Sequence, residues 1–237
     1  MLYIILLSFI SFLFPMNIDL VTTNDFHGSI VEQYAYFMNP KYPPKIIGGS
    51  GFYKYVKENI DQDRSLILDA GNFFQGHPIS VIDSGRTMIE FMNKIGYTAL
   101  VPGPNDFVYG AKKLNQLAEF SNFPFLISNI ECNNCDLKSE NFKTHIIKDI
   151  QRVKIGLLGI VDSELSEKTA SYNIEGISIK DTKESLEYWT NILEPLCDVI
   201  IILTSSGVPY EREKVYNDFI ADIESYNHLN AIQMGYF

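Results

Sequence analysis

Short apolar segments alternate with amphipathic stretches along this chain, and each apolar segment stops at a loop that contains Asn, Asp, Gly or Pro. Most of these segments are unbroken apolar runs, and they lie at residues 18–21, 65–68, 99–101, 125–127 and 198–203. Unbroken apolar strands separated by helices are typical of a largely parallel sheet that is covered on both faces. The pattern therefore predicts an α/β protein.

The helix predicted at residues 88–95 has the clearest periodicity, and Gly96 is placed to end it. Its apolar side chains recur at positions i, i+3, i+4 and i+7, at Met88, Phe91, Met92 and Ile95. Asp181 and Glu184 form a capping-box-like start to another helix. Further helices are predicted near residues 52–60, 112–120, 181–193 and 210–225, and neighbouring strands at 145–150 and 153–160.

The length and charge of the chain limit its organisation and its partners. The 237 residues are enough for one large core, and no linker or repeat divides them, so a single domain is predicted over residues 16–237. The formal net charge is −10, from 19 Lys and Arg against 29 Asp and Glu. A nucleic acid is therefore not expected as a partner, because its affinity comes mainly from basic side chains that neutralise phosphates.

The first 15 residues are almost entirely apolar and end at Pro15. A membrane span needs about 20 apolar residues, so this segment is too short for a stable span. Its length suits the apolar region of a secretory signal, although no Lys or Arg precedes it and no small-x-small cleavage site follows. Export to the periplasm or the extracellular space is predicted, with a buried first strand as the alternative.

Cys132 and Cys135 form a single CNNC pair in a polar loop, and Cys197 stands alone beside an apolar run. One CxxC pair without a second pair or a nearby His pair is weak support for zinc. A local disulfide in an oxidising compartment explains the spacing equally well. Cys197 is predicted to be a core residue.

Ligands of open α/β sheets bind outside the carboxyl ends of the strands, so the loops at those ends hold the candidate site residues. Asp25 and His27 are the informative pair, because a carboxylate and an imidazole two residues apart can reach one metal ion. A capping Asp beside a hydrogen-bonded His is the alternative. The other polar residues at strand ends are Asn72, Asn105, Asp106, Asn129, Thr204 and Ser205.

Longer motifs add a family resemblance. The segments TTNDFHG, DAGNFFQGHP, GPNDFVYG, PFLISNI, VKIGLLGI and DVIIILTSSGV follow one another from residue 22 onwards. In order and spacing they resemble the 5′-nucleotidase branch of the calcineurin-like metallophosphoesterases, whose blocks read TNDxHG, DAGDxxxG, GNHEFDxG, ANI, LTHxG and a late GHxH. The resemblance covers residues 19–237, nearly all of the chain.

The resemblance implies a metallophosphoesterase-type β-sandwich flanked by helices on both faces, in α/β/β/α layers. It also implies hydrolysis of nucleotide phosphoesters at a two-metal centre, in which two divalent ions hold the phosphate oxygens and activate a bridging water. This chain ends before a GHxH block, so the fold is expected to lack its last strand and the separate C-terminal nucleotidase domain. An unpaired sheet edge and low solubility follow from that expectation.

The metal ligands carried over from the family are incomplete. Asp25 and His27 match the ligands of the first metal, and Asn72 stands at the position of the bridging Asp. A neutral amide is a poor bridge between two dications. Ser205 stands at the position of a His ligand and is a weaker ligand. The resemblance therefore implies at most one divalent ion, such as Mn²⁺ or Zn²⁺.

The catalytic residues are also replaced. Pro104 stands where the family has an Asn ligand, and Asn105 stands at the position of the catalytic His, which it cannot replace as an acid or base near pH 7. A phosphoesterase-like protein with lost or impaired activity is the first hypothesis. A hydrolase with a rearranged site on Asp25, His27, His77 and Asp106 is the second hypothesis, although the position of His77 favours a surface-loop histidine.

A third hypothesis is a module that binds a nucleotide or another small phosphate ester without turnover, through backbone amides at helix N-termini. The scaffold of the fold is expected to survive in each case, because glycines occupy the turns where a Cβ would clash or where φ must be positive. These glycines are Gly28, Gly71, Gly76, Gly103, Gly110 and Gly207.

Overall fold

The computed structural model describes residues 17–36 and 38–206. The chain divides into a unit of residues 1–205 and a second unit of residues 206–237, and the description below concerns the first. The apolar segment 1–15, Gly207, the helix predicted near 210–225 and the end of the chain lie outside the described residues. The single domain over residues 16–237 stays a prediction.

The described strands are between two and eight residues long. In chain order they are β1 (Asp19–Thr23), β2 (Gln33–Tyr34), β3 (Lys45–Ile46), β4 (Ser65–Asp69), β5 (Ala99–Leu100), β6 (Phe125–Leu126), β7 (Ile130–Cys132), β8 (Phe142–Lys143), β9 (His145–Ile150), β10 (Val153–Ile160), β11 (Ile177–Ile179) and β12 (Val199–Thr204).

β1 to β3 and β6 to β10 follow one another with no described α-helix between them, and the other strands are separated by helices. The helices are α1 (Gly48–Asn59), α2 (Pro78–Val81), α3 (Arg86–Ile95), α4 (Ala111–Phe120), α5 (Leu165–Lys168) and α6 (Thr182–Leu193). Three 3-10 turns complete the set, at Gln62–Arg64, Pro104–Phe107 and Ser171–Asn173. None of the described helices is long and apolar enough to cross a membrane.

The main sheet has five parallel strands in the order β1-β4-β5-β6-β8. All five residues of β4 are buried, which is the state expected of a central strand with cover on both faces. The predicted α/β class with a parallel sheet is confirmed. Because parallel strands end at the same edge, the loops after β1, β4 and β5 lie side by side.

A second sheet has three strands in the order β12-β10-β9. β10 runs parallel to β12 and antiparallel to β9, which confirms the predicted neighbouring strands. The two sheets touch where the loop after β6 meets β10: the Ser128 amide donates to the Gly159 carbonyl at 2.8 Å. A Cβ at Gly159 would lie 2.3 Å from Leu126 Cβ, so this close approach requires glycine.

α3 shows how the local pattern becomes packing. Its buried side chains are Met88, Ile89, Met92 and Ile95, and Gly96 ends the helix with a φ of 93° while its amide donates to the Met92 carbonyl. Phe91 is half-buried and packs edge-on against Phe26 at 6.2 Å between ring centroids. The predicted helix is confirmed, with Ile89 added to its core face.

The prediction misses the smallest elements. β2 and β3 form an antiparallel pair, and β7 pairs antiparallel with β11. Strands of two or three residues are too short to show a period-two pattern. Cys132 and Cys135, at the end of β7, form a disulfide, which decides between the two open readings of the CNNC pair. Cys197 is free and half-buried rather than fully in the core.

Candidate metal and phosphoester site

Asp25 and His27 lie in the loop that follows β1, directly against the loop that follows β4. The Asp25 amide donates to the Gly71 carbonyl at 2.9 Å, and the His27 amide donates to the Asn72 carbonyl at 2.9 Å. Asp25, His27 and Asn72 all have positive φ values, of 51°, 46° and 56°. Non-glycine residues seldom adopt this backbone, and clusters of such residues are typical of functional sites.

The His27 side chain is oriented as a metal ligand would be. Its Nδ1 lies 2.9 Å from the Gln75 carbonyl oxygen. A carbonyl can only accept, so Nδ1 carries the proton and Nε2 keeps its lone pair. Nε2 lies 3.8 Å from Asp25 Oδ1, and the two side chains are 41% and 51% exposed. Both groups can therefore contact one ion from the solvent side.

The Asn72 side chain turns its amide hydrogens, not its oxygen, toward this pair. Asn72 Oδ1 accepts from the Asn105 amide at 3.0 Å, and that contact fixes which end of the side chain is the oxygen. Asn72 Nδ2 then donates to Asp25 Oδ1 at 2.9 Å. The group at the bridging position thus binds the Asp25 carboxylate directly, in the place where a bridge to a second ion would have to lie.

Pro104 and Asn105 begin the 3-10 turn after β5. Pro104 is buried, and its carbonyl accepts from Thr169 Oγ1 at 3.2 Å. Asn105 is half-buried and reaches Asn72 through its backbone amide. The structure therefore brings Asn105 to the predicted site, where it offers an amide without acid–base capacity near pH 7. Pro104 contributes no ligand atom from its side chain.

Ser205 lies at the end of β12 and binds the loop after β10. Its amide donates to the Ile160 carbonyl at 3.1 Å, and its Oγ accepts from the Asp162 amide at 3.1 Å. In the described part of the chain, no hydrogen bond joins Ser205 to Asp25, His27 or Asn72. Its hydroxyl serves the packing of two loops.

The rearranged site that would recruit His77 and Asp106 is not supported for Asp106. Asp106 is 1% exposed. Its two oxygens accept from the amides of Asn72 at 2.7 Å, Phe73 at 2.9 Å and Gly103 at 2.8 Å. A carboxylate so engaged has no free face for an ion. The prediction of Asp106 as a ligand is wrong because strand-end position alone does not reveal which way a side chain points.

His77 caps the short helix α2. Its Nδ1 accepts from the Ile79 amide at 3.3 Å, and its own amide donates to the His27 carbonyl at 2.6 Å. The His77 backbone therefore contacts His27, whereas its side chain caps the first turn of α2. Among residues 17–36 and 38–206, no group of three or more His, Cys, Asp or Glu side chains could hold a metal ion.

A buried network that the sequence analysis missed supports these loops. Asp69, at the end of β4, accepts from Thr23 Oγ1 at 2.6 Å and from the Gly71 amide at 2.9 Å. Thr23 Oγ1 also lies 2.8 Å from the Tyr97 hydroxyl. Asp69 is the Asp of the DAGN segment, and its place at a strand end was the available signal. Thr23, Asp69, Tyr97 and Asp106 are called the buried brace below; Asp25, His27, Asn72 and Asn105 are called the rim.

Burial dominates the electrostatics of the buried brace. Removal from water raises the pKa of Asp69 to about 7, against the opposing hydrogen bonds from Thr23 and Gly71. The same cause raises the pKa of Asp106 to about 8, although three backbone amides favour its ionised form. Burial also raises the pKa of Tyr97, and the neighbouring Asp69 adds to that effect. Burial therefore disfavours the charged form of both carboxyl groups.

The turns follow the predicted glycine positions. Gly71 has a φ of 96°, and a Cβ there would lie 2.5 Å from the Gly103 amide nitrogen. Gly103 has an extended backbone, but its Cβ would lie 2.3 Å from Asn72 Oδ1. Glycine is required at Gly71 because of its positive φ, and at Gly103 because a Cβ would clash with Asn72. Asn129, another strand-end residue, is fully buried and exchanges two hydrogen bonds with the Val161 backbone at 2.8 Å.

The residues present fit one divalent ion and do not fit two. Asp25 and His27 supply an oxygen and a nitrogen of the kinds that bind Mn²⁺ or Zn²⁺. A second ion needs a bridge, and the Asn72 amide has its oxygen on Asn105 and its hydrogens on Asp25. The resemblance to metallophosphoesterases implies a divalent metal, and Asp25 and His27 are the side chains at the rim that could contact one.

Known proteins similar in sequence are nucleotidases. No family model matches the chain. A 5′-nucleotidase of Diplobatis ommata is 26% identical over 206 residues, which cover 85% of this chain and 35% of that protein. A snake venom 5′-nucleotidase of Gloydius brevicauda is 30% identical over 158 residues, which cover 63% of this chain and 26% of the relative.

Solved structures show the same fold. A 5′-nucleotidase precursor from Thermus thermophilus superposes with a TM-score of 0.68 at 21% identity, over 84% of this chain and 38% of that one. A calcineurin-like phosphoesterase from Bacillus subtilis gives a TM-score of 0.62 at 21% identity, over 81% of this chain and 62% of that one. The predicted fold class is confirmed by these likenesses.

The chain spans about a third or less of the length of the curated relatives it matches. The matched part is the N-terminal domain of those proteins. The ordered motifs, the parallel sheet with its strand-end loops and these relatives agree with one another. In sequence and in fold, the chain is similar to the 5′-nucleotidase branch of the calcineurin-like phosphoesterase superfamily.

Proposed function

We propose that this chain is a degenerate phosphoester hydrolase of the 5′-nucleotidase type, which holds a single divalent cation on Asp25 and His27 and no longer turns over nucleotides. The observation that carries the proposal is the hydrogen bond from Asn72 Nδ2 to Asp25 Oδ1, at 2.9 Å. It occupies the space between the bridging position and the first-metal ligand with amide hydrogens. A second dication cannot share that space with them.

The loss of the bridge matters because of how two-metal hydrolysis works. Two ions about 3.5–4 Å apart clamp the attacking and leaving oxygens and generate the nucleophilic hydroxide at neutral pH. With one ion, the hydroxide is generated less readily and the phosphate is held at one oxygen only. The site then resembles a binding site more than a catalyst.

The replacement at Asn105 removes the second contribution. A positioned acid or base typically contributes about 10²–10⁴-fold to the rate. The Asn105 side chain can donate a hydrogen bond to a phosphate oxygen but cannot protonate a leaving oxygen near pH 7. The lost bridge and the lost acid act on the same step, so the combined effect is expected to bring hydrolysis close to the rate without enzyme.

Binding of a nucleotide or another small phosphate ester remains compatible with the rim. A cation on Asp25 and His27 would keep open coordination positions for a phosphate oxygen, because the two side chains leave it facing solvent. The curated relatives are named as nucleotidases, which supports nucleotide monophosphates as the first ligands to examine. The rearranged hydrolase is less well supported, since Asp106 is fully engaged with backbone amides.

The proposal is tested by paired binding and activity measurements on the whole chain. Mn²⁺, Zn²⁺ and Co²⁺ are titrated by calorimetry, and hydrolysis of AMP and p-nitrophenyl phosphate is followed at saturating metal. One cation per chain is expected, lost in Asp25→Ala, with no metal-dependent hydrolysis. Hydrolysis that needs metal and disappears in Asp25→Ala would overturn the inactive assignment, and two bound ions would overturn the single-ion site.

Export is proposed as the setting for this function. It rests on the apolar residues 1–15 and on the Cys132–Cys135 disulfide, which suits an oxidising compartment. Residues 1–16 fused to a reporter that lacks its own signal are expected to deliver the reporter out of the cytoplasm. A fusion in which Arg replaces two of the apolar residues serves as the control, and equal retention of both fusions in the cytoplasm would contradict export.

A further inference from the structure

A cavity of about 470 Å³ lies between α6 and the loops after β6 and β8, away from the rim. One face of α6 forms one wall, since its lining residues fall at positions i, i+3, i+4, i+7 and i+8. They are Asp181, Glu184, Ser185, Tyr188 and Trp189. The opposite wall comes from Ser128, Ile130, Thr144 and Lys180. None of the rim residues lines this cavity.

Trp189 makes one wall rigid and apolar. Its Nε1 donates to the Ser128 carbonyl at 2.8 Å, so the only polar group of the indole is already bonded. The ring is held between His145, at 5.1 Å between centroids, and Tyr188, at 4.9 Å in an edge-on arrangement. Tyr188 itself is 60% exposed at the mouth. Trp189, held by its hydrogen bond, and the exposed Tyr188 ring give the cavity an aromatic lining.

Ser185 gives the cavity an unsatisfied polar group. The residue is 6% exposed, and its hydroxyl has no hydrogen-bond partner among the described residues. A buried hydroxyl without a partner is costly to the fold, and most such groups are bonded. The hydroxyl oxygen itself has almost no accessible surface, so a ligand in the cavity supplies the missing partner once the Ser185 side chain turns to another rotamer.

The charges around the cavity restrict the ligand. Asp181 and Glu184 contribute two carboxylates and Lys180 one ammonium, within a chain whose net charge is −10. This balance disfavours anions. Aromatic walls attract planar rings, and Trp and Tyr faces also attract cations. The volume lies within the ordinary range for small-molecule sites, which is about 300–1,000 Å³.

We infer that this cavity is a binding site for a small planar aromatic molecule, neutral or carrying one positive charge, which stacks against Trp189 and Tyr188 and bonds to the Ser185 hydroxyl. The site is independent of the phosphoester chemistry proposed for the rim. A ligand bound there contacts α6 and the loop after β6.

The chain offers its own reporter for the test, because Trp189 is its single tryptophan. Indole as a neutral probe, benzamidine as a cationic probe and benzoate as an anionic probe are titrated to millimolar concentration. Benzamidine is followed by a change in the Trp189 emission, and indole, which is itself fluorescent, by calorimetry. Indole or benzamidine is expected to bind, and benzoate is expected to bind at least about ten-fold more weakly.

Two variants assign the binding to the cavity. Ser185→Ala is expected to weaken binding by about 3- to 10-fold, the loss of one neutral hydrogen bond, and to raise the Tm of the free protein because an unsatisfied hydroxyl is removed. Tyr188→Ala is expected to weaken binding without that rise. Lys183→Ala, on the opposite face of α6, is the matched control and leaves binding unchanged.

The binding measurements and the variants together give results that either support or overturn the site. Tighter binding of indole or benzamidine than of benzoate, weakened by Ser185→Ala and not by Lys183→Ala, supports the site. Absence of binding for all three probes, preference for benzoate, or affinities that neither Ser185→Ala nor Tyr188→Ala changes would overturn it. The rise in Tm of Ser185→Ala shows that a loss of binding does not come from unfolding.

Discussion

The buried brace and the rim lie within one hydrogen bond of each other, and they differ in what the fold requires of them. In the buried brace every carboxylate oxygen of Asp106 meets backbone amides, and Asp69 is bonded to Thr23 and Gly71. At the rim, Asp25 and His27 are about half exposed. A buried polar group must be bonded or the fold loses stability, whereas a solvent-facing ligand can change with little effect.

If the proposed function is correct, this difference explains how the fold can persist while its metal centre changes. An amide in place of a carboxylate at Asn72 leaves the loop in position, because the Asn72 backbone amide is still bound by Asp106. The same exchange removes the bridge on which a second ion depends. The geometry of the loops and the chemistry of the site are therefore under separate physical control.

The largest expected effect comes from cutting the buried brace. Asp106→Ala would leave the amides of Asn72, Phe73 and Gly103 buried without an acceptor. Each such group costs about 1–3 kcal/mol, so the free energy of unfolding should fall by about 5 kcal/mol. Denaturant unfolding measures this loss. Asn105→Ala, a rim change that keeps its backbone amide, should stay within about 0.5 kcal/mol. Similar losses in both variants would erase the distinction between the two regions.

The pH dependence of stability should come from the buried brace as well. Burial raises the pKa of Asp69 to about 7, far above the value of about 3.9 in an unfolded chain. Between those values the folded state holds a proton that the unfolded state has released, so stability is full at low pH and is lost as the pH rises. The loss should approach roughly 4 kcal/mol, measured by urea unfolding from about pH 4 to about pH 8.

Asp69→Asn is the matched control for that profile, since it keeps the shape and removes the titrating group. Its profile should be flatter than that of the parent chain, with the remaining slope near pH 8 from Asp106, whose pKa burial raises to about 8. A free energy of unfolding that increases with pH over this range would show that the backbone hydrogen bonds outweigh burial.

Restoring the bridge tests the rim in the opposite direction. Asn72→Asp replaces the amide hydrogens that face Asp25 with a second carboxylate, so the affinity for Mn²⁺ should increase by at least about ten-fold. Calorimetry gives the affinity and the number of ions. Asn59→Asp, an exposed change on α1 with the same charge difference, should leave the affinity unaltered. Hydrolysis should stay absent in Asn72→Asp, because Asn105 still cannot act as an acid.

The smallest expected effect concerns backbone strain at the rim. His27 has a φ of 46°, which a side chain disfavours and glycine tolerates. Both His27→Gly and His27→Ala should lose metal binding, and the glycine variant should be more stable than the alanine variant by about 1 kcal/mol. Thermal unfolding compares the two. Equal stability would mean that the loop relaxes and that the rim is not held in a strained conformation.

The sequence predicts the strands and helices well where they are long or buried. The periodicity of residues 88–95 with Gly96 gives α3, and the Asp181 cap gives α6 through its bond to the Glu184 amide. It fails at β2, β3, β7 and β11, because pairing across short strands depends on distant partners that local patterns do not contain. The choice of a disulfide for Cys132 and Cys135 likewise depends on their separation in space.

For the site, the sequence by itself determined which functional groups are present. They are a carboxylate at Asp25, an imidazole at His27 and amides at Asn72 and Asn105. At the last two positions the family has an Asp and a His. Only the tertiary structure decided where those groups point. It bonds Asp106 to three backbone amides, turns Ser205 to the loop after β10, and sets the Asn72 hydrogens on Asp25. The physical reason is that side-chain direction depends on backbone conformation and on the buried groups that must be satisfied, and both depend on neighbours far away in the sequence.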